Sequence, residues 1–246
     1  MNITFIVTGH CMEKYPDNCD YMIHTLESFK LIKNFNDSKV IIALDGNKNK
    51  EYEEKYQIYK NKLKNYIKNK PTYKVVCHDK NLNLVNNIFE TLKLVDTKYI
   101  FLIQQDLSFV NTFDLKTVID DLDNLPQIKH LRFNDTQNIR IKGRNDDNDK
   151  FGEKKIKRNN IYISTGVYSD RNHISRLEYY TDFIFKDGPL IKPKGWRYPC
   201  FGMEHILAQK PMENQELYGT YIYGDLNDKN MIVHYKAGRG RDIKIK

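Results

Sequence analysis

The chain has 246 residues, with 40 Lys and Arg against 32 Asp and Glu, giving a formal charge of +8 and a pI of about 9.1. Hydrophobic residues at 40% and aromatic residues at 12% exclude a disordered chain, because that much apolar material fills the core that a chain of this length buries. The basic balance invites a nucleic-acid reading, yet Lys outnumbers Arg by 31 to 9 and Asn reaches 25, the bias of AT-rich coding DNA, so charge alone identifies no partner.

No apolar run approaches the roughly 20 residues that span a bilayer, the longest being 40–44 and 99–103. The N-terminus enters a strand-like run at Ile3 without a basic leader, so the expected compartment is cytoplasmic. Cys11, Cys19, Cys77 and Cys200 form no C-x-x-C pair and fit neither a zinc site nor a disulfide scaffold.

In chain order, residues 3–8 are a continuous apolar strand, and Met22, Leu26 and Phe29 mark a helix over 21–33. A second strand, 40–44, runs into Asp45-Gly46. The basic stretch after it places Tyr52, Tyr56, Tyr59, Leu63 and Ile67 at steps of three or four, the pattern of a surface helix with solvated lysines. A third strand covers 73–78. Leu84, Val85, Ile88, Phe89, Leu92 and Val95 mark a further helix, and the fourth strand, 99–103, is apolar on both faces and ends at Gln104-Gln105-Asp106. Another apolar segment, 107–110, a helix over 114–125 and a fifth strand over 129–133 complete this part. Residues 140–158, basic and without apolar period, read as a long mobile loop. Beyond it come a strand at 161–164, a helix over 172–183, a Gly/Pro-rich segment with Trp196, a short helix near 203–209, and strands in YGTYIYGD and at 232–234.

Strands that are apolar on both faces and alternate with helices predict an α/β fold with an open, mostly parallel sheet flanked by helices. No linker or repeat divides the chain, so one domain is expected, with a more regular half over 1–135 and a closing half over 136–246. Ligands of such sheets bind outside the carboxyl ends of the strands. The polar groups there are Thr8-Gly9-His10, Asp45-Gly46, His78-Asp79 and Gln104-Gln105-Asp106. The dinucleotide fingerprint, the P-loop and the G-x-S-x-G elbow are all absent, which disfavours Rossmann oxidoreductases, P-loop NTPases and serine hydrolases.

A carboxylate between two buried runs is costly unless it is partnered. Asp106 is therefore either an oxygen ligand for Mg²⁺ or Mn²⁺ or a strand-end residue opening a turn. Asp45 either accepts hydrogen bonds from a base or ribose or simply makes the D-G turn. His234 ends a strand beside a basic tail, as a ligand or a structural residue. Glu204 starts a short helix, where it is either a cap or a general base.

Taken in order, ITFIVTGH, VIIALDG, YIFLIQQDLSFV, YISTGVYSDRNHISRLEYY, MEHIL and IVHYKAGR resemble the nucleotide-sugar-dependent glycosyltransferases of the GT-A fold. The similarity is greatest to family-2-like enzymes and to proteins encoded by large DNA viruses. The resemblance implies a Rossmann-like nucleotide-sugar-binding half and an acceptor-binding half. It places Asp106 at the last position of the family's D-x-D motif, on a divalent ion (Mn²⁺ or Mg²⁺), with Gln104 at the first position and His234 on the same ion. Glu204 is the implied general base of an inverting reaction, with Asp170 and Asp187 in reserve. Thr8, Gly9, His10, Asp45, Gln104 and Gln105 would line the nucleotide side, and Trp196 would stack on acceptor sugars. The expected substrates are a UDP-sugar or other nucleotide sugar and the hydroxyl of a glycan or protein-linked acceptor. A nucleotidyltransferase and a basic nucleic-acid-binding or inactive transferase-like module are the alternatives.

The excess charge sits in three places: +6 over 48–80, +4 over 140–158 and +4 over 236–246, leaving −6 for everything else. Three of the four strand ends, Thr8-Gly9-His10, Asp45-Gly46 and Gln104-Gln105-Asp106, belong to that acidic remainder, which is unlike a nucleic-acid face. Lys236, Arg239 and Arg241, with the segment from Lys154 to Arg158, are expected to meet the donor diphosphate.

Overall fold

The computed structural model describes residues 1–139, 151–191, 194 and 202–235. Its elements are β1 (Ile3–Gly9), α1 (Asp20–Glu27), β2 (Ile32–Lys33), β3 (Lys39–Leu44), α2 (Glu53–Ile67), β4 (Tyr73–Cys77), α3 (Asn83–Leu92), β5 (Tyr99–Gln104), β6 (Leu107–Phe109), β7 (Phe113–Asp114), α4 (Leu115–Asn124) and β8 (His130–Arg132). There follow β9 (Lys155–Lys157), β10 (Ile161–Ser164), β11 (His173–Arg176), α5 (Glu204–Leu207), α6 (Lys210–Glu213), α7 (Gln215–Tyr218), β12 (Thr220–Tyr223) and β13 (Ile232–His234).

Nine strands form one sheet in the order β4-β3-β1-β5-β11-β8-β12-β10-β9. β4, β3, β1 and β5 are mutually parallel, and β11 is antiparallel to both β5 and β8. Alternation along the central strands β1, β3 and β5 buries both faces. Tyr99, Phe101 and Ile103 of β5 join one core with Phe5, Phe29, Phe109 and Phe133, while Ile100 and Leu102 join a second with Val85, Ile88, Tyr168 and Tyr180. This is the mixed, mostly parallel α/β sheet expected from the apolar runs. The chain steps outward from β1 to β3 and β4, then returns to place β5 on the other side of β1. Such a reversal of strand order opens a crevice at the carboxyl ends of the two central strands.

Three sequence expectations are corrected. The helix over 21–33 stops at Glu27; Ser28–Leu31 tighten into a 3₁₀ turn, and Ile32 and Lys33 pair in parallel with Phe113 and Asp114. The helix over 172–183 is instead β11 followed by a π-helical turn, Tyr179–Ile184. Its four strand residues are too few to display a period of two, and pairing with β5 and β8 on either side outweighs the local pattern. The described end of the supposed loop, Lys155–Lys157, is the edge strand β9, paired with β10.

Candidate active site

Register brings the site together. β6 leaves the end of β5 and pairs antiparallel with β13, so that Leu107 faces His234. Tyr235 N–H donates to the Asp106 carbonyl at 2.9 Å. That alignment places His234 Nε2 3.0 Å from Asp106 Oδ2, joining residues 128 positions apart at the carboxyl end of β5. Both side chains keep access to solvent, 22% for Asp106 and 39% for His234. The Asp106 carboxylate raises the proton affinity of His234, Asp135 adds to the effect, and Arg171 opposes it, so four charged groups share this end of the sheet.

The second cluster begins at Gln104. Its side-chain amide donates to the Asp170 carbonyl at 2.9 Å, and its backbone N–H to Asn172 Oδ1 at 3.2 Å. Asn172, wholly buried, also donates Nδ2 to the Leu107 carbonyl at 2.8 Å, clamping the turn that carries Asp106. Asp170 and Glu204 then hold each other reciprocally. Asp170 N–H and the Ser169 hydroxyl approach Glu204 Oε2 at 3.3 and 3.4 Å, and Glu204 N–H approaches Asp170 Oδ2 at 3.2 Å. Glu204 is the first residue of α5 but does not cap it; its exposed side chain turns to the Ser169 hydroxyl and the Asp170 N–H instead. A Cβ at residue 202 would overlap the Asp170 carboxylate, so Gly202 allows this approach.

Burial, with Glu204 alongside, pushes the Asp170 carboxyl up to about 8. Its Oδ1 is buried without a hydrogen-bond partner. Between the unfolded carboxylate value near 4 and pH 8, the folded protein retains a proton that the unfolded chain has lost. Raising the pH through that window therefore removes stability, by up to about 1.4 kcal/mol per pH unit. Asp170→Asn keeps the shape without the charge, and its melting temperature should fall less than that of the wild type between pH 5 and 8; parallel curves would show that Asp170 ionises normally.

The residues at the ends of β1 and β3 form the floor. Thr8 is buried and donates its hydroxyl to the Ile103 carbonyl, and Gln105, 3% exposed, ties His10 N–H and the Tyr59 hydroxyl together through Oε1. A Cβ at Gly9 would lie 2.7 Å from Met22 Cε and 3.0 Å from Gln105 Oε1, so this glycine makes room for core side chains. Asp45, 4% exposed, accepts from Gly46 N–H, Leu82 N–H and Asn81 Nδ2, fastening the 80–82 loop to the end of β3. Burial lifts its pKa, against the pull of those backbone donors. At Gly46 an added Cβ would overlap the Lys80 carbonyl group and sit 2.7 Å from Asn81 N. Gly46→Ala should therefore cost roughly 1–3 kcal/mol in a denaturant titration, whereas an unchanged midpoint would mean that the 80–82 loop yields freely.

Asp187 is exposed in the turn after the π-helical segment, and none of these hydrogen bonds reaches it. Trp196, Lys236, Arg239 and Arg241 lie outside the described residues. The expectation for Lys154 to Arg158 is corrected: Lys155 pairs with Asp225 and Arg158 with Asp120, on the edge strand farthest from β4 and five strands from β5. A cleft of about 540 Å³ beside Gln127, Lys154, Gln215 and Tyr221 is lined by none of the candidate catalytic or metal residues.

Asp106 and His234 suit a divalent ion in donor type, a carboxylate oxygen and an imidazole nitrogen. Their 3.0 Å separation is also close to the spacing of adjacent ligands about 2.1 Å from one ion. Among the described residues no group of three or more His, Cys, Asp or Glu assembles for a metal, so these two would need donors from a bound ligand or water. Sequence reasoning missed Asn172, Asp135 and Arg171. The available signal was the polar Asn134-Asp135 following the fifth strand, where only the first four strand ends were considered.

The fold is that of solved glycosyltransferases. Staphylococcus aureus TarS gives a TM-score of 0.54 at 14% identity over 95% of this chain and 36% of that one. TarS in complex with UDP-GlcNAc gives 0.50 at 13% identity over 95% and 58%. The mannosyltransferase PcManGT of Pyrobaculum calidifontis, in complex with GDP-Man and Mn²⁺, gives 0.56 at 8% identity over 97% and 58%. The chain thus spans 58% or less of the length of these structures. No protein-family profile and no curated protein sequence matches it. No helix among the described residues is long and apolar enough to cross a membrane.

Proposed function

We propose that the protein transfers a sugar from a nucleoside-diphosphate sugar, a UDP-sugar foremost, to the hydroxyl of a glycan or protein-linked acceptor, with inversion and with a divalent ion. The observation that carries this reading is the contact between Asp106 and His234 at the carboxyl end of β5, in a fold shared with transferases bound to UDP-GlcNAc or to GDP-Man and Mn²⁺. Asp106 and His234 would hold Mn²⁺ or Mg²⁺, which when bound supplies positive charge to the departing diphosphate. Gln104 positions the 170–172 segment through its hydrogen bond to the Asp170 carbonyl. Glu204, exposed and anchored through Oε2, takes the acceptor proton. Asp170 keeps its own proton at neutral pH, which limits repulsion beside Glu204. The floor residues Thr8, Gly9, Gln105 and Asp45 support the nucleotide side through main-chain positioning, with His10 facing it.

A thermal-shift screen of UDP-GlcNAc and GDP-mannose, with and without Mn²⁺, tests the reading. A ligand present at 100 times its Kd stabilises by about 2.7 kcal/mol, and that stabilisation should depend on the metal. Stabilisation by oligonucleotides alone, declining with salt, would favour a nucleic-acid-binding module.

A further inference from the structure

We propose that Arg171 is an oxyanion-recognising residue of this crevice, offering its two Nη nitrogens to a phosphate group of the substrates while Asp135 holds its Nε. The inference rests on the transferase reading and names a contact that reading lacks.

The backbone of Arg171 is fixed on both sides. Its N–H approaches Ser169 Oγ at 3.4 Å, and His173 Nδ1 lies 2.6 Å from its carbonyl oxygen. Its neighbours Asp170 and Asn172 are the two residues hydrogen-bonded to Gln104. The side chain therefore starts between the Asp170/Glu204 pair and the turn that carries Asp106. Its guanidinium reaches Asp135 at the end of β8, with Nε 3.3 Å from Oδ1 and exposures of 39% for Arg171 and 13% for Asp135. The contact is close but poorly aligned, because Asp135 Oδ1 is buried and lacks a true hydrogen bond. Neither Nη nitrogen has a hydrogen-bond partner among the described residues. Four N–H donors in a planar fork thus stand partly exposed beside the Asp106–His234 pair, and both Arg171 and Asp135 act electrostatically on His234.

A guanidinium fork matches two oxygens of one phosphate, which an ammonium group cannot do. The need for such a cation is local: Asp106, Asp135 and Glu204 stand around the crevice, and an incoming phosphate adds further negative charge. The other described arginines are committed elsewhere. Arg158 is held by Asp120, Arg176 by the carbonyls of Leu122 and Ile128, and Arg132 is buried in β8.

Calorimetric titration of wild type, Arg171→Ala and Arg171→Lys, all in the presence of Mn²⁺, with uridine, UDP, guanosine, GDP and pyrophosphate tests the assignment. Arg171→Ala should weaken UDP or GDP about ten- to a hundredfold and leave the nucleosides unchanged, with Arg171→Lys recovering part of the loss. If diphosphate affinity is unchanged but UDP-saturated wild type binds inorganic phosphate and UDP-saturated Arg171→Ala does not, the recognised oxyanion belongs to the acceptor. Equal binding of every phosphate-bearing probe by wild type and Arg171→Ala overturns the proposal, as does a parallel loss of nucleoside and nucleotide with a lowered melting temperature. Wild-type protein that binds none of these phosphate-bearing probes also overturns it. Wild type that binds pyrophosphate through Arg171 but no nucleoside or nucleotide would sink the transferase reading and leave the oxyanion role standing.

Discussion

Asp106→Ala is expected to abolish metal-dependent donor binding and to lower sugar transfer by about a hundredfold or more, with the fold intact. A divalent ion at a departing diphosphate is worth several kcal/mol of transition-state stabilisation, and Asp106 is the only carboxylate in direct contact with His234 among the described residues. Truncation should be tolerated structurally, because the side chain is partly exposed and the strand contact through Tyr235 N–H uses the Asp106 backbone. The readout is the difference in melting temperature with nucleotide sugar in the presence and absence of Mn²⁺. That difference should vanish in the variant, while the melting temperature of the protein alone stays within a few degrees of wild type. A variant that retains the full Mn²⁺-dependent shift would place the ion elsewhere.

Glu204→Gln should have the opposite profile, with donor affinity unchanged and turnover reduced by about 10²–10⁴-fold. Glutamine retains an oxygen to accept from Asp170 N–H and the Ser169 hydroxyl, so the local geometry survives and only the basicity is removed. Transfer and donor binding measured on one preparation separate the two effects. Full activity in Glu204→Gln, combined with an inactive Asp170→Asn, would move the base to Asp170, the carboxyl facing it.

Most of the parallel half was legible because its strands are apolar on both faces and end in polar residues, the pattern a covered sheet requires. The Asp106–His234 proximity was readable only as a resemblance. What creates it physically is the β6–β13 register, a pairing between segments over 120 residues apart that no local period encodes. The error at β11 has the same origin: His173–Arg176 becomes a strand because β5 and β8 offer it two ladders. Losing that strand from the reading also hid Asn172 and Arg171 as site residues. In contrast, Thr8, Gly9 and Gln105 stood out correctly as strand-end residues, yet the Thr8 and Gln105 side chains are committed to internal hydrogen bonds and the space beside Gly9 is filled by core side chains. Position at a strand end marks proximity to a crevice, and only the hydrogen-bond inventory separates floor from ligand contact.

The central claim is that Asp106 and His234 together hold a divalent ion against a nucleoside diphosphate. Electron paramagnetic resonance of Mn²⁺ titrated with protein, in the presence of UDP or GDP, measures this directly. The account predicts that wild-type protein quenches the free-ion signal at one ion per chain, and that Asp106→Ala and His234→Ala leave the signal unquenched at the same concentrations. Equal quenching by wild type and both variants, or no quenching by wild type with either nucleotide, would contradict it.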